Sequence, residues 1–278
     1  MVLSPAWNEF LDTTCSPPDL VLPIGLPPVD FRPEEGKLIS TVPTSGLKIP
    51  VRDLPPSFLW EIRAHESGRT IRTWARNNRG FCPLWLRLPS GTRDMEMHLE
   101  PGREEILLLD FPLGGLLVYL LSTRIPGLLV HGSGVMLNGR GFLFLGRSGA
   151  GKSTMAHLWV RCGAEIIHDD RLLLRKEGNQ WIAHSTPVLP GDRPVCHPVH
   201  HIGLLRQDSI SAALPVKGTA AFESILEHCI QHQYDREVLE MQITEIENLA
   251  KDIPVHAVSF PKKTDIVGYL LAYHGYPA

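Results

Sequence analysis

Hydrophobic positions fall into regular order first between about Trp60 and Leu99. The segments "FLWEIRA", "RTIRTWA", "LWLRLP" and "MEMHLE" alternate apolar or β-branched residues with polar ones. They are separated by "NNRG" and "PSGTRD", and this period of two, cut by turn residues, predicts antiparallel strands. A second pattern begins at Leu128. "LLVHGSGVML" and "GFLFLG" flank Asn138-Gly139, a dipeptide suited to the positive φ angles of a two-residue hairpin turn. In such a hairpin the numbers of facing residues sum to 277, which sets His131 opposite Gly146.

Farther along, Met155, Leu158, Trp159 and Cys162 recur at helical spacing with Gly163 behind them as a stop. "AEIIHDD" reads as a short buried strand ending at Asp169 and Asp170, and "RLLLRKEGNQWIAHS" as a hairpin turning at Glu177-Gly178-Asn179. "GTAAFESILEHCIQHQ" and "REVLEMQITEIENLAKD" predict helices, and "PVHAVSF" a last strand. The mixture indicates an α/β or α+β domain. The resulting organisation is a proline-rich extended segment over 1–55, a β-rich region over 56–127 and a larger domain over 128–278.

Composition narrows the function classes. A chain of 278 residues, 43% hydrophobic, can fill a sizeable core. Its net charge of −3 gives no footprint for nucleic acid. The most apolar stretch, from Ile106, is interrupted by Asp110, Pro112, Arg124 and Pro126, so it lacks the roughly 18 clean apolar residues of a membrane span. Five scattered cysteines without a C-x-x-C, and an amino terminus without a basic start or apolar run, point to a reducing cytoplasm.

The chemistry concentrates around Gly146-Arg147-Ser148-Gly149-Ala150-Gly151-Lys152-Ser153, which fits G-x-x-x-x-G-K-[ST] between an apolar strand and an amphipathic helix. In such a loop, backbone N–H groups converge on phosphate oxygens. Lys152 reaches the β and γ phosphates, Ser153 ligates Mg²⁺, and Thr154 lies in the first helical turn. The hairpin brings His131 to the mouth of this loop. Asp169 and Asp170 stand where a phosphate-loop enzyme holds the carboxylate that supports Mg²⁺. As neighbours on a strand they point to opposite sides, which suggests separate tasks: support of the metal and acceptance of a hydroxyl proton.

The grouping "CHPVHH", with Cys196, His197, His200 and His201, has no standard zinc spacing and reads as a loop near the acceptor. Ser133 and His168 lack the G-x-S-x-G setting of a hydrolase.

Taken together, His131-Gly132, the loop GRSGAGKS and Asp169-Asp170-Arg171, in this order and spacing, resemble the HPr serine kinase/phosphorylase catalytic domain and its wider group of kinases. The resemblance covers 128–176 best. It implies a fold like that of phosphoenolpyruvate carboxykinase and transfer of the γ-phosphoryl of ATP to a serine hydroxyl on a protein. On the matching positions, Lys152 and Ser153 would hold ATP and Mg²⁺, Asp169 would support the metal, and Asp170 with His131 would handle the acceptor proton. Arg171 would orient that pair or an adjacent loop, and Arg193 and Arg206 are both candidates for a further phosphate contact.

The glycine- and isoleucine-rich signature loop of the true HPr enzymes is not found after D-D-R, and the amino-terminal part is unlike their regulatory domain. The chain looks closer to shorter HPr-kinase-like proteins, a group including kinases of lasso-peptide precursors and of small hydroxyl compounds. A nucleotide switch that hydrolyses ATP or GTP is the competing function, although N-K-x-D and L-S-G-G-Q are absent. The acceptor, a peptide, protein or small alcohol, and assembly into a homo-oligomer stay open.

Overall fold

The computed structural model describes residues 2–3, 24–25, 32, 34–45, 54–91, 95–99, 106–108, 110–187, 192–231, 235–261 and 265–276. Most of the proline-rich segment expected to be extended therefore lies outside the described residues. The chain divides into two compact units, Met1–Leu120 and Leu121–Ala278.

The first unit is built on one sheet: β1 (Val2–Leu3), β2 (Ile24–Gly25), β3 (Lys37–Pro43), β4 (Phe58–His65), β5 (Gly68–Asn77), β6 (Gly80–Pro89), β7 (Glu96–Leu99) and β8 (Leu107–Leu108). β3 to β7 pair antiparallel in sequence order. The period of two seen in the sequence is the burial pattern. Along β6, Cys82, Leu84, Leu86 and Leu88 are buried and alternate with partly exposed neighbours. The apolar run after Pro112 folds as α1 (Leu113–Leu121), with Leu113, Leu116, Leu117 and Leu120 buried. No helix among the described residues is long and apolar enough to cross a membrane.

The second unit holds another eight-stranded sheet: β9 (Leu128–Leu137), β10 (Arg140–Leu145), β11 (Glu165–Glu177), β12 (Gln180–Ser185), β13 (Cys196–Pro198), β14 (His201–Gln207), β15 (Ala212–Val216) and β16 (Val255–Phe260). Their spatial order is β13-β12-β11-β9-β10-β14-β16-β15. β10, β14 and β16 run parallel to one another and the remaining pairings are antiparallel. Four helices join them: α2 (Lys152–Arg161), α3 (Thr219–Leu226), α4 (Arg236–Asp252) and α5 (Ile266–Tyr273).

The sheet is buried on both faces, as parallel strands require. Leu143 and Leu145 of β10 join one core with Ile225 of α3 and Ile246 and Leu249 of α4. Phe142 and Phe144 join another with Met155 and Trp159 of α2 and Ile266 and Leu270 of α5. Leu→Ala changes at such positions cost about 2–5 kcal/mol.

The β9/β10 hairpin has the register read from its turn. Leu137 faces Arg140 and Gly132 faces Leu145, with Asn138 at φ 49° and Gly139 at φ 75°.

Other expectations need correction. Asp169 and Asp170 do not end a strand: they lie within β11, which is 13 residues long and runs on to Glu177, because Leu172 and Leu174 carry the apolar alternation onward opposite β9. A bulge between Ile166 and His168 resets its register just before the aspartates. The "CHPVHH" segment expected as an acceptor loop forms β13 and leads directly into β14 at His201, and β14 is a central strand whose Ile202 and Leu205 are buried. Cys162 is exposed, because α2 ends at Arg161 and Cys162 is its cap. Helix α5 had no counterpart in the sequence reading.

Candidate active site

At the end of β10 the chain enters the glycine-rich loop, and α2 starts at Lys152 with Gly151 before it at φ 102°. A side chain there would be strained in that left-handed conformation, and its Cβ would approach Phe260 Cζ to 3.0 Å. No side chain caps the helix, so first-turn N–H groups are left for an anion. Gln207, at the end of β14, donates from Nε2 to the Gly149 carbonyl at 3.0 Å and braces the loop.

The Lys152 side chain is folded into the loop, where Nζ donates to the carbonyls of Gly146 at 2.8 Å and Arg147 at 3.3 Å. Burial pushes the Lys152 pKa down, and the charges of Asp169 and Asp170 act against that shift. An ammonium has three donors. Two of them hold the loop, and one is left for a phosphate oxygen.

Asp169 accepts a hydrogen bond from the Ser133 hydroxyl on the facing strand. Asp170 is engaged by His131, whose Nδ1 lies 2.9 Å from the Asp170 carbonyl oxygen and 3.2 Å from its carboxylate Oδ1. A carbonyl only accepts, so Nδ1 carries the proton. Burial raises the Asp170 pKa, but the His131 hydrogen bond and the nearby Arg171 and histidine charges outweigh it and hold the carboxyl below its ordinary value. Arg171 Nε stands 3.6 Å from Asp170 Oδ2.

His131, Asp169 and Asp170 line the same cavity of about 600 Å³ as Ser148, Gly149, Gly151, Lys152, Ser153 and Thr154, together with Gln207 and Phe260. Neighbouring residues of β11 thus open onto one space rather than onto opposite sides of the sheet. Gly146 and Ala150 line an adjoining cavity of about 490 Å³ that also includes Arg147, Arg206 and Gln207. Arg171 and Arg193 line neither of these two cavities. Arg206 lies 3.4 Å from Asp208. A larger cavity of about 780 Å³, between α3, α4 and the start of β16, contains none of the loop residues. Chemistry rather than volume selects the site.

Sequence likeness points the same way. HPr kinase/phosphorylase of Geobacillus thermodenitrificans is 32% identical over 140 residues, 49% of this chain and 45% of that protein. Its counterpart in Listeria monocytogenes is 28% identical over 145 residues, 49% of this chain and 43% of that one. This chain is HPr kinase-like over about half its length.

The chain spans less than half the length of these HPr kinase/phosphorylase relatives. The solved Hpr(Ser) kinase/phosphatase of Coxiella burnetii matches 53% of this chain and 95% of its own at 14% identity, with a TM-score of 0.32. No protein-family model matches the chain.

Three residues that line or brace this cavity were missed or set aside in the sequence. Ser133 faces Asp169 across the β9–β11 pair, while Gln207 and Phe260 close the cavity from the ends of β14 and β16. The signal for the last two was positional: they end parallel strands at the edge where α/β sheets bind ligands.

Proposed function

We propose that the second unit is a P-loop kinase with a phosphoenolpyruvate carboxykinase-like fold, using ATP and Mg²⁺ to phosphorylate a serine hydroxyl of a peptide or protein in the cytoplasm. The observation that carries this reading is the single cavity shared by Lys152, Ser153 and both aspartates. The donor set fits the implied groups: Ser153 and Asp169 offer hard oxygen ligands suited to Mg²⁺, and the uncapped start of α2 with the free Lys152 donor suits phosphate. When bound, Mg²⁺ would neutralise charge on the phosphate oxygens.

The chain's own residues then have separable tasks. Lys152 and the loop amides hold the β and γ phosphates. Asp169, fixed by Ser133, supports the metal. Asp170, fixed by His131, orients the acceptor hydroxyl and accepts its proton as that oxygen bonds to the γ-phosphorus and the bond to the β-phosphate oxygen breaks. The low Asp170 pKa makes it a weak base that is ionised at neutral pH. That suffices for a loose transition state in which positioning dominates.

The test is label transfer from [γ-³²P]ATP with Mg²⁺ to three acceptor pools: HPr, a serine-peptide library and free L-serine. The wild type is expected to form an acid-stable phosphoester in a peptide or protein pool, and Lys152→Ala is expected to lose most of it. Label appearing only in inorganic phosphate, or unchanged transfer by Lys152→Ala, would overturn the reading.

A further inference from the structure

The described residues contain a second cluster of ligating side chains, at the other end of the sheet from the phosphate loop. His201 opens β14, His256 is the second residue of β16, and His274 caps the end of α5. β14 and β16 pair in parallel, with Gly203 facing His256. Gln207 marks the loop end of β14, so His201 lies roughly 20 Å away along the strand at about 3.3 Å per residue.

One ring nitrogen from each of the three histidines lies within 4.8 Å of the others. His256 is only 9% exposed. Its Nδ1 is buried without a hydrogen-bond partner, as is Nδ1 of His201. On the other side of the His201 ring, Nε2 is 2.8 Å from the Tyr276 hydroxyl. A proton on Nε2 donated to that oxygen leaves the lone pair on the buried Nδ1. A metal-bound histidine commonly has such a partner, which fixes its tautomer.

We infer that His201, His256 and His274 form a binding site for a Zn²⁺ ion, with the fourth coordination position open to water. The site offers imidazole nitrogen and no carboxylate, a set that suits Zn²⁺ and disfavours Mg²⁺ and Ca²⁺.

Zn–N bonds of about 2.0–2.1 Å in a tetrahedron set nitrogens about 3.4 Å apart. Closing to that distance requires ring rotation; the His274 ring, at a helix end, lies tilted by 33° against that of His201 with centroids 3.9 Å apart. The bound ion would clamp α5 onto β14 and β16. Of the "CHPVHH" grouping, only His201 belongs to the cluster: His197 pairs with Glu165, and His200 accepts from the Gly141 amide.

The full chain, dialysed against chelator, would be titrated with Zn²⁺ in competition with a chromophoric chelator, and its thermal unfolding followed with and without the ion. One saturable equivalent per chain and a raised melting temperature are expected. His256→Asn and the less buried His274→Asn should each weaken binding at least about tenfold, whereas His197→Ala should leave it unchanged. Co²⁺ in place of Zn²⁺ should give the intense visible absorption of a four-coordinate site, lost in His274→Asn. Absence of a saturable equivalent in the wild type would overturn the inference. So would binding that His274→Asn leaves intact, or that His197→Ala removes.

Discussion

Asp170→Asn is the substitution that best separates the proposed chemistry from nucleotide binding. The amide keeps the shape of the carboxylate and retains an oxygen for the His131 Nδ1–H, 3.2 Å away. What disappears is the negative charge and the ability to take a proton. Structural loss should be small: the His131 and Asp170 side chains are 45% and 32% exposed, and such partly solvated pairs contribute about 0.2–1 kcal/mol.

Loss of a general base lowers transfer by about 10²–10⁴-fold, equivalent to about 3–5 kcal/mol of barrier. Affinity should move the other way or not at all. Asp170 repels phosphate and competes for Lys152, so the variant should bind Mg·ATP as tightly as the parent or more tightly.

The pH dependence follows from the same group. The folded Asp170 pKa lies below its ordinary value, so the ionised form and the stability it contributes are present above the unfolded pKa. Both are lost as pH falls through the folded one. Wild-type transfer should therefore persist into mild acid, and its acid limb should be absent in the variant. The assays are label transfer for rate, calorimetry for Mg·ATP affinity and thermal unfolding for stability. Transfer at the parental rate, or equal losses in affinity and transfer, would refute the reasoning.

Asp169→Asn, which removes a formal charge from the oxygen donor set, should shift the Mg²⁺ titration of nucleotide binding to higher concentration, with little change in affinity for metal-free ATP; calorimetry at graded Mg²⁺ reads the difference. Gly151→Ala forces an alanine into φ 102° and sets its Cβ 3.0 Å from Phe260. The left-handed conformation alone costs about 1–2 kcal/mol, so melting of the second unit should fall by roughly 2–8 °C, measurable by calorimetry.

Much of this site was legible because its signals are local. Asn138-Gly139 sets the register of a hairpin through backbone sterics alone, and that register carries His131 toward the loop. The P-loop spacing and the amphipathic pattern of α2 likewise need no tertiary information. α4 begins and ends at the bounds of the predicted segment, helped by the Asp235 cap that accepts from the Val238 amide.

The failures occurred where long-range packing decides. β14 follows a cluster of proline and histidine, and it becomes a strand because β10 and β16 flank it and bury Ile202. β11 runs past the aspartates because β9 pairs with it on both sides of a bulge that leaves no clear mark in the sequence. Gln207 and Phe260 could be placed only once that topology was known, and so could the histidine cluster, whose members are brought together from 201, 256 and 274.

The central claim is that one cavity holds both the transferred phosphate and the groups that present the acceptor. A crystal structure of the full chain with Mg²⁺ and a nonhydrolysable ATP analogue tests it most directly. The account predicts the β and γ phosphates on the amides of Gly149 to Ser153, with Lys152 Nζ on a γ oxygen, the metal between Ser153 and Asp169, and His131 and Asp170 facing the γ-phosphorus from the side opposite the leaving oxygen. A nucleotide bound in the 780 Å³ cavity between α3 and α4, or a γ-phosphate directed away from Asp170, would contradict it.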